Sequence, residues 1–339
     1  MSTMPWLSLV LLSFKRFDTT TGPCLATLAG ADADPDVELI LVDNGSDDGA
    51  AQRCAEAAAA RPRIRYAPEP TNLGFAGGMN AGVALARGDW VCLVNSDTLF
   101  PAGALEALKA TLQAVPPEVA MVGPVTNAAG NGQRLPLPGL DLQVVPAIGA
   151  AALQQRTGLV TPSYRTDFFC VAVRRAVWQQ LGGLDRIFGL GYYEDFDFSL
   201  RLRRAGWQQV IAEDVFVAHV GSASFSAMGS KQHELMRRNR QLMKERHPDV
   251  HFEHVREGNA AVLTQLIAIA QREGWTEALR QRAAWRLAAL DWDEPRSPFK
   301  RWRWRWRGRR IRRALAAQRI DAAFPRPEAL YDEADASPH

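Results

Sequence analysis

The stretch Trp90-Val91-Cys92-Leu93-Val94-Asn95-Ser96-Asp97-Thr98 decides the fold. Apolar residues run from 90 to 94 without polar alternation, as in a strand buried on both faces. The run then stops at three oxygen-bearing side chains: Asn95, Ser96 and Asp97. A carboxylate just past the carboxyl end of a buried strand suits a hard divalent cation, which takes oxygen ligands and binds through one or two carboxylates plus substrate phosphates. One carboxylate does not close such a site. His219 follows the last expected strand, beside Gly221 and Ser222, and is the candidate second ligand; the plainer reading is a structural histidine.

Outward from this strand, the first part of the chain alternates strand and helix signals. Strands are expected at residues 7–12, 37–42, 64–66 and 119–122. Helices are expected at 19–28, 47–60 and 75–87, and from Pro101, with that proline at the first helical position. Strands separated by single helices make right-handed βαβ units and a mainly parallel α/β sheet flanked by helices. Ligands in such sheets sit beyond the carboxyl ends of the strands. Residues 123–161 carry no clear period. Order returns as a strand at 168–173, a helix at 176–181, a helix at 194–205 closed by Gly206, and a last strand at 210–217. From about residue 222 the pattern is helical, with a polar, basic break at 291–307. These shifts divide the chain into a sheet-bearing domain, 1–225, and a helical extension, 226–339.

Composition sets the class. The chain has 339 residues, 47% hydrophobic and 23% charged, which fits a globular protein and excludes a disordered one. Four scattered cysteines form no CxxC pair and read as small buried hydrophobes of a reducing compartment. The apolar start at 6–12 is a core strand rather than a signal peptide, since no basic residue precedes it. No segment approaches the ~18–20 apolar residues that span a bilayer. The expected location is cytoplasmic, with any membrane contact peripheral, on the inner face of the cell membrane. The net charge of +3 hides a patch: residues 296–313 hold Lys300-Arg301-Trp302-Arg303-Trp304-Arg305-Trp306-Arg307, then Arg309, Arg310, Arg312 and Arg313, with no acid. Dense arginine with interleaved tryptophan suits an anionic membrane surface. A solvated linker is the bland alternative, and nucleic acid is the least favoured.

Three more clusters stand at strand or helix ends. Asp43-Asn44-Gly45-Ser46-Asp47-Asp48-Gly49 offers a carboxylate to the N3–H of a pyrimidine, or simply makes a turn and cap. Asn72-Leu73-Gly74-Phe75-Ala76-Gly77-Gly78-Met79-Asn80-Ala81-Gly82 lets backbone approach a phosphate or base closely, or packs a helix tightly on the sheet. Tyr192-Tyr193-Glu194-Asp195-Phe196-Asp197 places acids at a helix start, where the macrodipole alone favours them; the functional reading makes one of Glu194 and Asp195 a general base.

In this order the clusters resemble the family 2 glycosyltransferases of the GT-A fold, the nucleotide-diphospho-sugar transferase fold, and in particular bacterial rhamnosyltransferase-like members. The matching stretches are 37–49, 72–98 and 171–222, the last including Arg174-Arg175, Gly182-Gly183-Leu184-Asp185, Glu194-Asp195-Phe196-Asp197 and Arg204-Ala205-Gly206. The resemblance implies that Asp43 contacts the donor's pyrimidine, with Asn44, Asn72, Gly74, Gly78, Asn80 and Asn95 as further donor contacts. It makes Asp97 and His219 the ligands of Mg²⁺ or Mn²⁺ and Asp195 the base, with Glu194 beside it. The family's metal motif is commonly DxD, and Asn95 stands here at the first acidic position, removing one formal charge.

The implied reaction is an inverting transfer from a dTDP- or UDP-sugar, with rhamnose the leading sugar, to a hydroxyl of a cell-surface or lipid-linked saccharide. A nucleotide-binding oxidoreductase or nucleotidyltransferase fits less well, because Ser13-Phe14-Lys15-Arg16 stands where a GxGxxG turn would follow the first strand. The alternative of another class is a catalytically silent nucleotide-sugar-binding or membrane-associated scaffold; the presence of both Asp97 and Asp195 argues against silence.

Overall fold

The apolar runs of the first third form strands with scarcely an exposed atom. β1 (Leu7–Ser13) and β2 (Val37–Asp43) are buried at every position, and β4 (Trp90–Asn95) at all but its last. A computed structural model of the protein describes residues 4–32, 34–135, 156–220, 230–292 and 294–323. Between these strands lie α1 (Thr21–Thr27), α2 (Ala50–Ala60), β3 (Ile64–Pro68) and α3 (Gly74–Leu85). β5 (Thr98–Leu99), α4 (Ala104–Ala114) and β6 (Val119–Val125) follow. The expected helix at 19–28 is a single 3-10 turn, Phe17–Thr19, followed by α1. Pro101 is not its helix's first residue. α4 starts only after Gly103, whose φ of +79° ends a preceding turn in the left-handed region.

The second half adds β7 (Val160–Pro162), β8 (Cys170–Arg174), α5 (Arg175–Leu181), α6 (Glu194–Arg204), β9 (Gln208–Phe216) and β10 (Ala218–His219). Gly206 closes α6 at φ +86°, as its sequence position implies. The sheet order is β3-β2-β1-β4-β8-β6-β9-β7. β3, β2, β1 and β4 are mutually parallel, as are β6 and β9. β8 runs antiparallel to both β4 and β6, and β7 antiparallel to β9. The sheet is therefore mainly parallel with two reversed strands. Because β8 enters against the common direction, its amino end meets the carboxyl ends of β1, β2 and β4. Residues just before β8 thus join those just after the parallel strands. α3 lies hard on this sheet: a Cβ at Gly78 would stand 2.5 Å from Leu12 Cδ1, so only glycine permits that approach.

The C-terminal helices are α7 (Ser230–Arg246), α8 (Val255–Glu273), α9 (Glu277–Trp292), α10 (Pro298–Arg307) and α11 (Arg309–Ala317). The expected basic break at 291–307 is mostly the helix α10. Its proline sits at the helix start, where the missing N–H is no loss, and Arg305 pairs with Glu294 at 2.7 and 2.9 Å. α8 and α9 share a hydrophobic core with the sheet: Val262, Leu263, Leu266, Ala283 and Leu290 pack with Val125, Ile211 and Phe216. Two buried arginines of α9 reach β9. Arg286 meets Glu213 at 2.8 Å with both side chains at 0% exposure, and Arg282 meets Asp214 at 3.3 Å. α8 and α9 are thus joined to the sheet through a continuous interior. Residues 136–155, Gly221, Ser222 and 324–339, covered by the sequence expectations, lie outside the described residues.

Candidate active site

The strand ends converge on one cleft of about 1030 Å³. The turn after β1 contributes Phe14, Lys15 and Arg16; the turn after β2, Asn44 and Asp48; the turn after β4, Asn95, Ser96 and Asp97. Phe168 and Phe169 come from the entry to β8, and residues 192–196 from the start of α6. Of the residues expected from sequence, Asn44, Asn72, Asn95, Asp97, Glu194, Asp195 and His219 all line this cleft.

One side carries the pair Asp97 and His219. β5 and β10 form a two-residue antiparallel ladder with His219 opposite Thr98. That ladder brings His219 Nε2 to 3.5 Å from Asp97 Oδ1. The ring is fixed from three directions. Nδ1 donates to the Ala128 carbonyl at 3.0 Å, the backbone N–H donates to Asn127 Oδ1 at 2.8 Å, and the face stacks on Phe169 at 5.1 Å between centroids. With Nδ1 engaged by Ala128, Nε2 is the nitrogen that faces Asp97, where it either carries a proton or, with a metal in place of that proton, serves as a ligand. Burial alone would lower the His219 pKa, but the hydrogen bond and negative charge of Asp97 outweigh it and raise the value. Asn95 Oδ1 is buried without a partner among the described residues.

Across the cleft, α6 begins with an acid pair. Tyr192 and Tyr193 precede it at φ +70° and +78°, two consecutive non-glycine residues in the left-handed region. Asn239 of α7 holds them there: fully buried, its amide donates to the carbonyls of Phe188, Gly191 and Tyr192 at 2.8, 2.9 and 3.0 Å. Glu194 is only 5% exposed, and its Oε2 has no partner among the described residues. Burial, then the charge of Asp195, push its pKa up to about 8. Asp195 accepts the Phe196 backbone N–H at 2.7 Å. Burial and the charge of Asp167 push its pKa up to about 6, with Arg165 pulling the other way. Both acids are thus held above the usual carboxylate range, Glu194 further than Asp195.

Four expected contacts fall elsewhere. Asp43 stands at the end of β2 and is not among the residues that line the cleft; its Oδ1 accepts the Ser46 hydroxyl at 2.5 Å. Gly74, Gly78 and Asn80 also lie outside that lining. Gly74 has φ +71°, and a Cβ there would stand 2.3 Å from the Gly189 carbonyl oxygen, so it admits the loop that leads to α6. Asn80 clamps Leu184, donating to its carbonyl at 2.7 Å and accepting its N–H at 2.9 Å. Asn44 lines the cleft, yet it also sews two turns together, accepting the Leu73 N–H at 3.0 Å and donating to Asn72 Oδ1 at 3.1 Å.

Sequence reasoning missed Arg165, Asp167, Arg240, Phe252 and Glu253, which also line the cleft, and the positioning residue Asn239. The first two sit in the short gap between the stretch without a period and the strand expected at 168–173. The rest come from the helical extension, where nothing in the pattern distinguishes a cleft-facing side chain from a solvated one.

The Glycosyl transferase family 2 model matches residues 8–180, just over half of the chain. The protein therefore belongs to the family 2 glycosyltransferases. An N-acetylglucosaminyl-diphospho-decaprenol L-rhamnosyltransferase of Mycobacterium tuberculosis is 28% identical over 227 residues, which cover 58% of this chain and 70% of the relative. An N-acetylglucosaminyltransferase of Rhizobium leguminosarum bv. phaseoli is 30% identical over 106 residues, 31% of this chain and 25% of the relative. The crystal structure of GalNAc-T7 with UDP, GalNAc and Mn²⁺ aligns at a TM-score of 0.50 and 13% identity, over 64% of this chain and 43% of that one. That likeness establishes the GT-A fold.

Proposed function

We propose that the cleft transfers a sugar, with rhamnose the leading candidate, from a dTDP- or UDP-linked donor to a hydroxyl of a lipid-linked saccharide, with inversion. The observation that carries this reading is the convergence of Asp97 and His219 with Glu194 and Asp195 on one cleft. The nearness in sequence to a rhamnosyltransferase that acts on a decaprenol-linked sugar supports the donor and acceptor class.

The residues at the Asp97 end suit Mg²⁺ or Mn²⁺. Among the described residues no three His, Cys, Asp or Glu side chains form a closed metal site. Two donors facing each other across 3.5 Å, with the cleft open beside them, make the kind of site that a donor diphosphate completes. A bound ion would neutralise charge developing on the departing diphosphate. Asp97 and His219 would hold it, and Asn95, neutral in place of the first acid of a DxD motif, is left to hydrogen-bond a hydroxyl of the donor.

Asp195 is the general base. Its carboxylate is ionised at neutral pH yet more basic than an exposed aspartate, which suits it to take the acceptor hydroxyl's proton as that oxygen attacks. Glu194, protonated, offers a hydrogen-bond donor rather than a second base. A retaining double displacement needs a free carboxylate nucleophile. Asp167 is unsuited, since it is engaged by Arg165 at 2.8 Å and by the Gly130 N–H at 2.5 Å. We take the transfer as a single displacement, which inverts the anomeric centre.

The basic segment 296–313 is the contact with an anionic membrane surface, on the inner face of the cell membrane. α10 supports this by exposing Phe299, Trp302 and Trp306 at 65%, 62% and 59%, three aromatics spaced for one helical face. No described helix is long and apolar enough to cross a membrane.

The deciding experiment screens nucleotide sugars for transfer and hydrolysis with and without Mn²⁺ and follows the anomeric configuration by NMR. Turnover of a dTDP- or UDP-sugar that requires the cation and inverts the anomeric centre is the expected result. Metal-independent turnover, or a retained anomer, overturns that part of the reading.

A further inference from the structure

A buried polar atom without a protein partner is costly to leave unsatisfied, and where several belong to residues lining one cleft a ligand there can supply the partners. In the described structure Asn95 Oδ1, Arg165 Nε, Glu194 Oε2 and Glu253 Oε2 are such atoms, and all four residues line the same cleft. Two of them lie at the strand-end and acid-pair positions already discussed. Arg165 and Glu253 belong to a different wall.

That wall is built in advance of any ligand. Arg165 is held by Asp167 at 2.8 Å and by the Gly130 carbonyl at 2.8 Å, which leaves Nε unengaged. Its guanidinium lies 5.2 Å over the Phe196 ring. The turn between α7 and α8 carries Phe252 and Glu253. It is pinned at His251, whose N–H donates to the Tyr164 hydroxyl at 3.2 Å, and at His254, which caps α8 reciprocally with Glu257. Phe252 packs edge-on against Tyr193 and Phe196 at 6.1 and 5.9 Å, and Arg240 lies 4.5 Å over its ring. These rings adjoin Asp195, the residue that faces the incoming hydroxyl, so the wall is on the acceptor's side.

A fixed carboxylate, a fixed guanidinium N–H and an aromatic surface are the groups that recognise a pyranose. Hydroxyls pair with the polar atoms, and the C–H face of the sugar lies on the ring. We infer that Arg165, Phe252 and Glu253 form the subsite for the acceptor saccharide, and that the turn between α7 and α8 sets acceptor choice. The inference rests on the transferase reading and adds to it that two of the three subsite residues, Phe252 and Glu253, come from outside residues 8–180, the part the family shares. A family member with a different turn here would keep the donor half and take a different acceptor.

The test uses the full chain and three variants, E253A, E253Q and F252A. Two quantities are measured for each: the affinity for dTDP with Mn²⁺ by calorimetry, and saturation-transfer NMR of a short-chain prenyl diphosphoryl N-acetylglucosamine in the presence of that nucleotide. The unaltered chain should saturate the sugar protons. E253A and F252A should weaken saccharide binding about 10- to 100-fold, as expected for buried partners left unpaired. E253Q, which keeps one acceptor oxygen, should lose less than E253A, and nucleotide affinity should stay constant. Unchanged saccharide binding in E253A and F252A, or no sugar saturation by the unaltered chain, overturns the inference. Failure of the unaltered chain to bind both dTDP and, in a parallel titration, UDP instead strikes the donor part of the transferase reading, which the calorimetry reports separately.

Discussion

Glu194 and Asp195 are consecutive residues on one cleft, and their surroundings separate their protonation: burial pushes Glu194 up to about 8, while Asp195, beside Arg165, reaches about 6. An acid and a base are thereby set side by side, as in carboxylate pairs that divide proton donation from proton acceptance.

The pH dependence of transfer follows. The base works only when ionised, so kcat/KM should rise as pH climbs through about 6 and level off above it. It should fall again through about 8 as Glu194 loses the proton it donates. E194Q, which always donates, should keep the acid limb and lose the alkaline one. Folding stability should respond as well. Unfolded Glu194 ionises near 4.5, whereas the folded side chain holds its proton to about 8, so its contribution is complete below 4.5 and lost as pH rises through 8. The melting temperature of E194Q minus that of the parent should grow over that window; a flat difference contradicts it.

D195N should abolish the base with little change in shape. Transfer should drop by ~10²–10⁴, while dTDP affinity in Mn²⁺ stays within about twofold. If nucleotide affinity falls with the rate, Asp195 belongs to donor binding.

His219 owes its orientation to Ala128, Asn127 and Phe169, so H219A removes a prepared ligand rather than a mobile one. Affinity for Mn²⁺-nucleotide should fall by at least ~10–100-fold, the range seen for loss of a supporting partner. EDTA should erase the difference between H219A and the parent. A gap that persists in EDTA removes His219 from the metal site.

Much of the fold was legible because burial on both faces writes itself as unbroken apolar runs. Residues 7–12, 37–42 and 90–94 are strands where expected, and the polar residues that end them fall at one edge of the sheet. The start of α6 and the position of His219 beyond the last long strand were equally visible. Asp43, Gly78 and Asn80 illustrate the limit. The three residues make local or packing contacts as well, with Ser46, Leu12 and Leu184 respectively, and residue type and spacing alone do not show which side chains line the cleft. Phe252 and Glu253 were invisible for a related reason: the turn that carries them reaches the cleft through packing against Tyr164, Tyr193 and Phe196.

α10 gives a prediction independent of catalysis. Replacing Phe299, Trp302 and Trp306 together by Ser should reduce binding to vesicles rich in phosphatidylglycerol by at least tenfold, roughly the ~1.4 kcal/mol that a tenfold change represents. Transfer to a short, soluble acceptor should be unaffected. Undiminished vesicle binding removes the membrane role.

The Arg286–Glu213 pair has no exposed atoms to share with water. Arg286→Met should cost about 3–5 kcal/mol in urea denaturation, because Glu213 is left buried with the Thr161 hydroxyl as its hydrogen-bond partner. Exchanging Glu213 for Gln as well should recover part of that loss. A cost under about 1 kcal/mol would mean that water reaches the site.

That same pair governs how the protein can be dissected. Trimming the chain to its sheet-bearing part would strip α9 from β9, take the arginine partners from Glu213 and Asp214, and lay open an apolar surface of Ile211 and Phe216. Such a fragment would aggregate on expression rather than serve as a minimal enzyme. Module swaps between relatives should accordingly exchange β9 together with the helices that cover it, so that each arginine travels with its acid.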